Sequence, residues 1–112
     1  MKSPITTHVL DTSIGRPAAN LAARLERITE TETLAVGASA TNADGRITDL
    51  LDRPLERGRY RITFDTASYF AERGVPCFFP EVSILFEVKD DTAQHHVPLL
   101  LSPFGYSTYR GT

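Results

Sequence analysis

The sequence contains few of the residues that form disulfide bonds and metal sites. Cys77 is the only cysteine, so no disulfide bond can form within the chain. The only histidines are His8, His95 and His96, and together with one cysteine they provide no spacing typical of a zinc site. We therefore predict no metal ligands. Cys77, flanked by apolar residues in VPCFFP, is interpreted as a small buried apolar side chain and not as a nucleophile.

The chain also lacks a strong charge of one sign and a long hydrophobic run. Lys and Arg number 12 against 14 Asp and Glu, so no basic field for nucleic acid or an anionic membrane surface is present. No apolar run is long enough to span a bilayer, and the N-terminal MKSPITTHVLD lacks the apolar core and cleavage site of a signal peptide. We predict a soluble, cytoplasmic protein without nucleic-acid or membrane partners. At 112 residues, the expectation is a single domain spanning residues 1–112 whose core needs no disulfide.

Alternation of apolar and polar residues predicts most of the chain to be β-structure. Strands are expected at residues 5–11, 33–41, 58–64 and 80–88, with a short one beginning near Ile47 and two more on either side of the Ser-Pro-Phe-Gly turn in residues 95–112. Residues 42–45, Asn-Ala-Asp-Gly, have the composition of a hairpin turn. Seven or eight short strands with frequent turns favour a β-sandwich over a fold with alternating strands and helices.

Two segments have sequences that are compatible with a helix. Residues 20–29 fit a helix, because Leu21, Leu25 and Ile28 have helical spacing, but they also alternate, and we favour a strand. Residues 65–73 are the best helix candidate, with Asp65 or Thr66 as N-cap and a glycine just beyond the end. In residues 33–41, Leu34, Val36 and Ala38 are expected to share one face.

The candidate chemical groups are two histidines, one arginine and the end of the chain. Alternation places His8 on one face of the first strand, and His96 on the face opposite Val97 and Leu99, with His95 predicted to lie outside. An imidazole titrates near pH ~6.5 and can accept a proton from water, whereas the guanidinium of Arg46 offers a rigid fork of donors to substrate oxygens. Each of these residues also has an ordinary structural explanation, so spacing alone predicts no more than a β-sandwich with a polar pocket.

Longer stretches of the sequence resemble the 5-hydroxyisourate hydrolase family, whose members are related to transthyretin. THVLDTSIGRPAANL and the terminal HVPLLLSPFGYSTYRGT are similar to the family's two signatures, and NADGRITDLL, GRYRITFDT and PCFFPEVSILFEV extend the resemblance along the chain. The resemblance implies an all-β, transthyretin-like sandwich of two four-stranded sheets with one short α-helix. It also implies a homotetramer, a dimer of dimers that encloses a central channel.

The same resemblance implies an activity and a site. The family opens the ring of 5-hydroxyisourate by hydrolysis at a lactam C–N bond, without a metal or organic cofactor. Its catalytic residues fall on His8, Arg46 and His96. Its substrate-contacting positions fall on the last strand and the terminal YRG[ST] signature, which here are Ser107, Tyr109, Arg110, Gly111 and Thr112. The resemblance does not say which histidine is the base.

Two positions depart from the family pattern. Gln94 stands where the family commonly has histidine, and we expect this difference to be tolerated if the residue before Val97 is the one that faces the site. Thr112 replaces the usual serine and adds a methyl group. Two alternatives to the enzyme stay open: a transthyretin-like protein that binds a small apolar ligand without chemistry, and a purely structural domain. The terminal signature, which transthyretin lacks, favours the enzyme.

Overall fold

The computed structural model describes residues 3–112. Met1 and Lys2, the start of the segment examined for a signal peptide, lie outside the described residues. In chain order the elements are β1 (Ile5–Asp11), β2 (Arg16–Pro17), β3 (Ala22–Ile28), β4 (Thr33–Ala40), β5 (Arg46–Ile47), β6 (Gly58–Phe64), α1 (Thr66–Glu72), β7 (Val82–Val88), β8 (His95–Ser102) and β9 (Gly105–Thr108). Within residues 3–112, no helix has the length and apolar character needed to cross a membrane.

Two sheets form a sandwich. One has the order β2-β1-β8-β9, with β5 also paired to β1, and the other has the order β4-β3-β6-β7. Because β8 runs parallel to β1 along its whole length, β2 and β5 must share the other side of β1, where each pairs with a different part of it. The first sheet is therefore four strands wide although it contains five strands. The predicted all-β sandwich with one short helix is confirmed.

The core lies between the two sheets and consists of alternate residues of the strands. In β6, Tyr60, Ile62 and Phe64 are buried as predicted from their alternation. In β8, Val97, Leu99 and Leu101 are buried on the opposite wall. Each large apolar side chain removed from water in this way stabilises the fold by about 1.5–3 kcal/mol. Cys77 packs against the edge of this core and is only partly buried, less than predicted.

The ambiguous segment is a strand, as favoured, because β3 pairs with β4 on one side and β6 on the other. The predicted helix is also confirmed. Asp65 is its N-cap, with the side chain accepting a hydrogen bond from Ser68 N at 3.1 Å. Gly74 follows its C-terminal end with φ +66°, a left-handed conformation that glycine adopts without strain.

A buried hydrogen bond ties the helix to the sheet of β1. The carboxylate of Asp11 accepts from the Tyr69 hydroxyl at 2.8 Å and also from Ser13 N at 3.0 Å. Burial of the Tyr69 ring, together with its bond to the Asp11 carboxylate, raises the pKa of the tyrosine to about 12. The neutral hydroxyl is therefore the form that the folded chain stabilises.

Two predictions of local geometry were wrong. The 42–45 turn closes, with Gly45 N donating to Asn42 O at 2.9 Å, but it connects β4 in one sheet to β5 in the other and makes no hairpin. Local turn chemistry reverses the chain without choosing the strand's partner. Leu34, Val36 and Ala38 do not share one face, because the pairing register shifts after Leu25. Leu34 is opposite Arg27 and Ala38 is opposite Arg24, and β3 residues three apart point to opposite faces. Of the three residues only Val36 enters the core.

Candidate functional site

Three neighbouring strands bring the predicted catalytic side chains onto one face. His8 of β1 is the cross-strand partner of Arg46 in β5 on one side and of Pro98 in β8 on the other. Thr6, two residues before His8, is the partner of His96. Because cross-strand partners point to the same side of a sheet, His8, Arg46 and His96 share the outward face. The parallel pairing of β1 with β8 is thus what assembles this cluster.

A small cavity opens beside His96. It has a volume of about 100 Å³ and is lined by Thr6, Thr7, Arg46, Thr48, Gln94, His96 and Thr112. Two of the three predicted catalytic residues, and the last residue of the predicted substrate-contacting set, therefore meet at one place. An imidazole and a guanidinium at the same cavity combine a group able to exchange a proton with a fixed positive charge, the combination that stabilises a developing oxyanion.

His8 lies next to this cavity without lining it. Its Nε2 is 2.9 Å from the backbone oxygen of Asp44. A carbonyl oxygen can only accept, so Nε2 must carry the hydrogen, and neutral His8 keeps its lone pair on Nδ1. The turn before β5 holds Arg46 beside it, since the Asn42 side chain accepts hydrogen bonds from Asp44 N at 3.0 Å and Arg46 N at 2.9 Å.

The end of the chain folds back over His96. Gly111 N donates to His96 O at 2.8 Å, so the tail runs antiparallel to the start of β8. A Cβ at Gly111 would lie 2.5 Å from Cδ2 of the His96 ring and 3.1 Å from Cγ of Pro98. A side chain larger than hydrogen fits in this gap only if the imidazole or the tail moves. Glycine is required at position 111 by close approach to the imidazole and not by a left-handed backbone.

The other predicted substrate-contacting residues are more exposed. Tyr109 and Arg110 line a second cavity of about 260 Å³, between the β7 edge of one sheet and the β8–β9 edge of the other, and His96 reaches this cavity as well. Tyr109 is 58% exposed. Ser107 pairs with Leu100, which puts it on the His96 face of the sheet, but it lines neither cavity. Within one copy of the chain, Gly111 and Thr112 therefore lie at His96, whereas Ser107 lies outside both cavities.

His95 was predicted to lie outside, and this was wrong. It is only 5% exposed, and its Nδ1 donates to the backbone oxygen of Ala93 at 3.0 Å. It occupies the inward face of β8 together with Val97, as strict alternation requires. The hydrogen bond to the Ala93 carbonyl compensates the loss of hydration at one of the two ring nitrogens, and this lowers the cost of burying the imidazole.

Sequence reasoning did not place Thr6 at this site, and it treated Gln94 only as a tolerated departure from the family pattern, whereas both residues line the cavity. Thr6 is 4% exposed and its Oγ1 lies 2.8 Å from Nδ1 of His96. Gln94 Nε2 lies 2.8 Å from Ser3 O and 3.4 Å from Thr6 Oγ1. Thr6 is two residues before His8, so alternation along the strand puts both on one face, and that was the available signal. Among residues 3–112, no three His, Cys, Asp or Glu side chains form a group that could hold a metal ion.

Comparison with known proteins identifies the family to which the chain is similar. The sequence profile of the HIUase/Transthyretin family matches residues 5–111. The 5-hydroxyisourate hydrolase of Mus musculus is 45% identical, covering 98% of this chain and 96% of its own length. That of Deinococcus radiodurans is 43% identical, covering 96% and 95%.

Two solved structures show how widely the fold is shared. A Klebsiella pneumoniae 5-hydroxyisourate hydrolase superimposes with a TM-score of 0.83 at 41% identity, covering 96% of this chain and 98% of that one. Sea bream transthyretin in complex with thyroxine superimposes with a TM-score of 0.91 at 27% identity, covering 98% and 96%. The fold is common to a 5-hydroxyisourate hydrolase and to a transthyretin solved in complex with thyroxine, and the sequence is more similar to that of the hydrolase. The chain belongs to the HIUase/transthyretin family.

Proposed function

We propose that this chain is a 5-hydroxyisourate hydrolase, acting as one domain over residues 1–112. The reaction opens the six-membered ring of 5-hydroxyisourate by adding water across a lactam C–N bond. It yields 2-oxo-4-hydroxy-4-carboxy-5-ureidoimidazoline, on the way from urate to allantoin. Relatives that carry this name match nearly the whole chain at more than 40% identity. The observation that carries the proposal is the cavity at which His96, Arg46 and Thr112 meet.

The proposed roles follow from the chemistry of each group. The Arg46 guanidinium binds substrate oxygens and stabilises the oxyanion that forms when water attacks the lactam carbonyl. His8 and His96 supply proton transfer and hydrogen bonding on either side of the reacting bond. Gly111 and Thr112 close the cavity over His96, and Tyr109, Arg110 and Ser107 extend the substrate-contacting surface. No cofactor takes part in the proposed reaction.

A homotetramer, assembled as a dimer of dimers, is part of the proposal. Within the described residues β7 and β9 are edge strands, and edge strands with exposed apolar side chains are normally covered by another chain. Leu85 on β7 is 55% exposed, and Tyr106 on β9 is 43% exposed. Both edges border the cavity that Tyr109 lines, so pairing of copies there would enclose the exposed tail.

We also propose a cytoplasmic location, which fractionation of cells expressing the chain would test.

The competing function is binding of an apolar ligand without chemistry, favoured by the high structural similarity to sea bream transthyretin. The two functions separate in one assay. Ultraviolet absorbance of freshly generated 5-hydroxyisourate is followed with and without the protein. A hydrolase accelerates the decay, and a protein that leaves the decay unchanged is not one.

The variant His96→Asn tests the site within that assay. We expect kcat to fall by about two powers of ten or more, the usual effect of losing a proton-transfer or oxyanion-binding group, while the fold is retained. His95→Asn gives the opposite signature. It should lower the melting temperature, because a buried bonded imidazole is lost, and keep kcat in the folded fraction. A folded His96→Asn protein with the wild-type rate would remove His96 from the site.

A further inference from the structure

The hydrogen bonds that surround His96 have a direction. Gln94 Nε2 lies 2.8 Å from the backbone oxygen of Ser3. Since a carbonyl oxygen only accepts, the NH₂ group of Gln94 must face the start of β1. The same nitrogen is 3.4 Å from Thr6 Oγ1 and has a second hydrogen to offer. The Thr6 hydroxyl therefore receives a hydrogen bond from Gln94.

That direction continues to the imidazole. Thr6 Oγ1 is 2.8 Å from Nδ1 of His96 and lies in a nearly fully buried side chain. A hydroxyl has one hydrogen and two lone pairs, and the Gln94 amide takes one of the lone pairs. Among the described residues, His96 Nδ1 is the only possible acceptor that the Thr6 hydroxyl contacts, so the buried hydrogen is satisfied only if it is directed at Nδ1. Nδ1 then acts as the acceptor, so the neutral imidazole of His96 carries its hydrogen on Nε2.

We propose that Thr6 and Gln94 are positioning residues that hold neutral His96 in the tautomer with hydrogen on Nε2. In this state His96 meets a substrate oxygen as a hydrogen-bond donor beside Arg46, and it has no lone pair on Nε2 with which to activate water. His8 has the same tautomer but is bound through its other nitrogen, because its Nε2–H donates to Asp44 O and this contact leaves the lone pair on Nδ1 for a water molecule. Two histidines that look equivalent in the sequence thus receive different roles, donor for His96 and base for His8. This assignment of roles depends on the proposed function, whereas the tautomer itself does not.

The tautomer can be measured without substrate. Protein labelled with ¹⁵N is observed by long-range ¹H–¹⁵N correlation at a pH where His96 is neutral, since imidazole nitrogens with and without hydrogen resonate far apart. We expect the wild-type Nδ1 of His96 to be the nitrogen without hydrogen. A wild-type spectrum with the hydrogen on Nδ1 would overturn the proposal, whether or not the protein hydrolyses 5-hydroxyisourate.

Variants of Thr6 connect the tautomer to turnover. Thr6→Val keeps the shape of the side chain and removes the hydroxyl, so we expect a mixture of His96 tautomers. kcat should fall about fivefold to tenfold, the rate equivalent of one hydrogen bond, with a smaller change in KM. Thr6→Ser should restore both the spectrum and kcat. Thr63→Val is the matched control, because Thr63 is equally buried in β6 of the other sheet, where its hydroxyl bonds to Ser83 at 3.2 Å.

Gln94→Glu reverses the direction of the same bonds. A carboxylate cannot donate, so it would take the Thr6 hydrogen and leave His96 Nδ1 to donate to Thr6. We expect the hydrogen of neutral His96 to move toward Nδ1, in a surface variant that folds normally. An unchanged tautomer in both Thr6→Val and Gln94→Glu would refute the positioning role. A kcat in Thr6→Val no lower than in Thr63→Val would refute its relevance to catalysis.

Discussion

Substitution of Gly111 by alanine is the smallest change that disturbs the candidate site. The added methyl carbon would lie 2.5 Å from Cδ2 of His96, against the 3.4 Å at which ordinary contact begins. The obstacle is a ring held on its other side by Thr6, at 2.8 Å from Nδ1, and it is not the mobile end of a long side chain. Either the imidazole moves away from Thr6, or the tail lifts and breaks the bond from Gly111 N to His96 O.

The two consequences differ in size. Loss of one hydrogen bond costs about 0.5–1.5 kcal/mol, small beside the total stability of about 5–15 kcal/mol typical of a domain. The melting temperature should therefore fall by only a few degrees. Catalysis is more sensitive, because a displacement of about 1 Å at a reacting group can reduce the rate about a hundredfold. We expect Gly111→Ala to be folded and to lose about one to two powers of ten in kcat.

The decay of 5-hydroxyisourate measures the rate, and circular dichroism against temperature measures the fold. Gly105→Ala is the matched control, since Gly105 is the first residue of β9, shortly before the tail, and its Cβ would meet Ser102 Oγ at an ordinary 3.8 Å. Gly105→Ala should keep both kcat and the melting temperature. If Gly111→Ala also keeps the wild-type kcat, then contact between the tail and His96 has no part in the reaction, and the close approach is only packing.

Further variants test the remaining groups. Arg46→Lys keeps the charge but loses the planar fork of donors, so hydrolase activity should be strongly impaired. The control Arg59→Lys, at an exposed position in β6, should have wild-type activity. Full activity of Arg46→Lys would mean that Arg46 contributes only its positive charge. Deletion of residues 109–112 removes the hydrogen bond from Gly111 N to His96 O and none of the buried core residues within 3–112. The chain should therefore stay folded and oligomeric by light scattering, lose most hydrolase activity and gain weak binding of flat apolar ligands; unchanged turnover would exclude the tail from the site. The raised pKa of Tyr69, about 12, means that its contribution is complete below pH ~10 and is lost as the pH rises from about 10 to about 12. Tyr69→Phe should cost about 1–3 kcal/mol of unfolding free energy at neutral pH, because the buried Asp11 loses a donor, and it should flatten the decline in urea-measured stability between those pH values; an unchanged alkaline decline would show that Tyr69 does not cause it.

The sequence by itself determined the elements and the faces of most strands. Alternation in 58–64 predicted the buried Tyr60, Ile62 and Phe64, and Asp65 with the glycine beyond residue 73 predicted the helix ends. These features depend on neighbours a few residues away, so they are visible in a local pattern. Resemblance to the family, in the two terminal stretches and in NADGRITDLL, predicted which residues would form the site. The structure brings Arg46, His96 and Thr112 to one cavity, with His8 on the adjoining strand.

Tertiary structure decided which strands meet, and with that the environment of each predicted group. Parallel pairing of β1 with β8 joins positions 90 residues apart and places the Thr6 hydroxyl on His96. It also leaves His95 inside the sandwich, and it lets the tail return so closely that only glycine fits at position 111. The Asn-Ala-Asp-Gly turn shows the same limit, since its composition specified a reversal and the packing of two sheets chose its destination. Periodicity records which face a residue occupies, but the partner across that face is set by the free energy of packing distant segments together, which no local pattern contains.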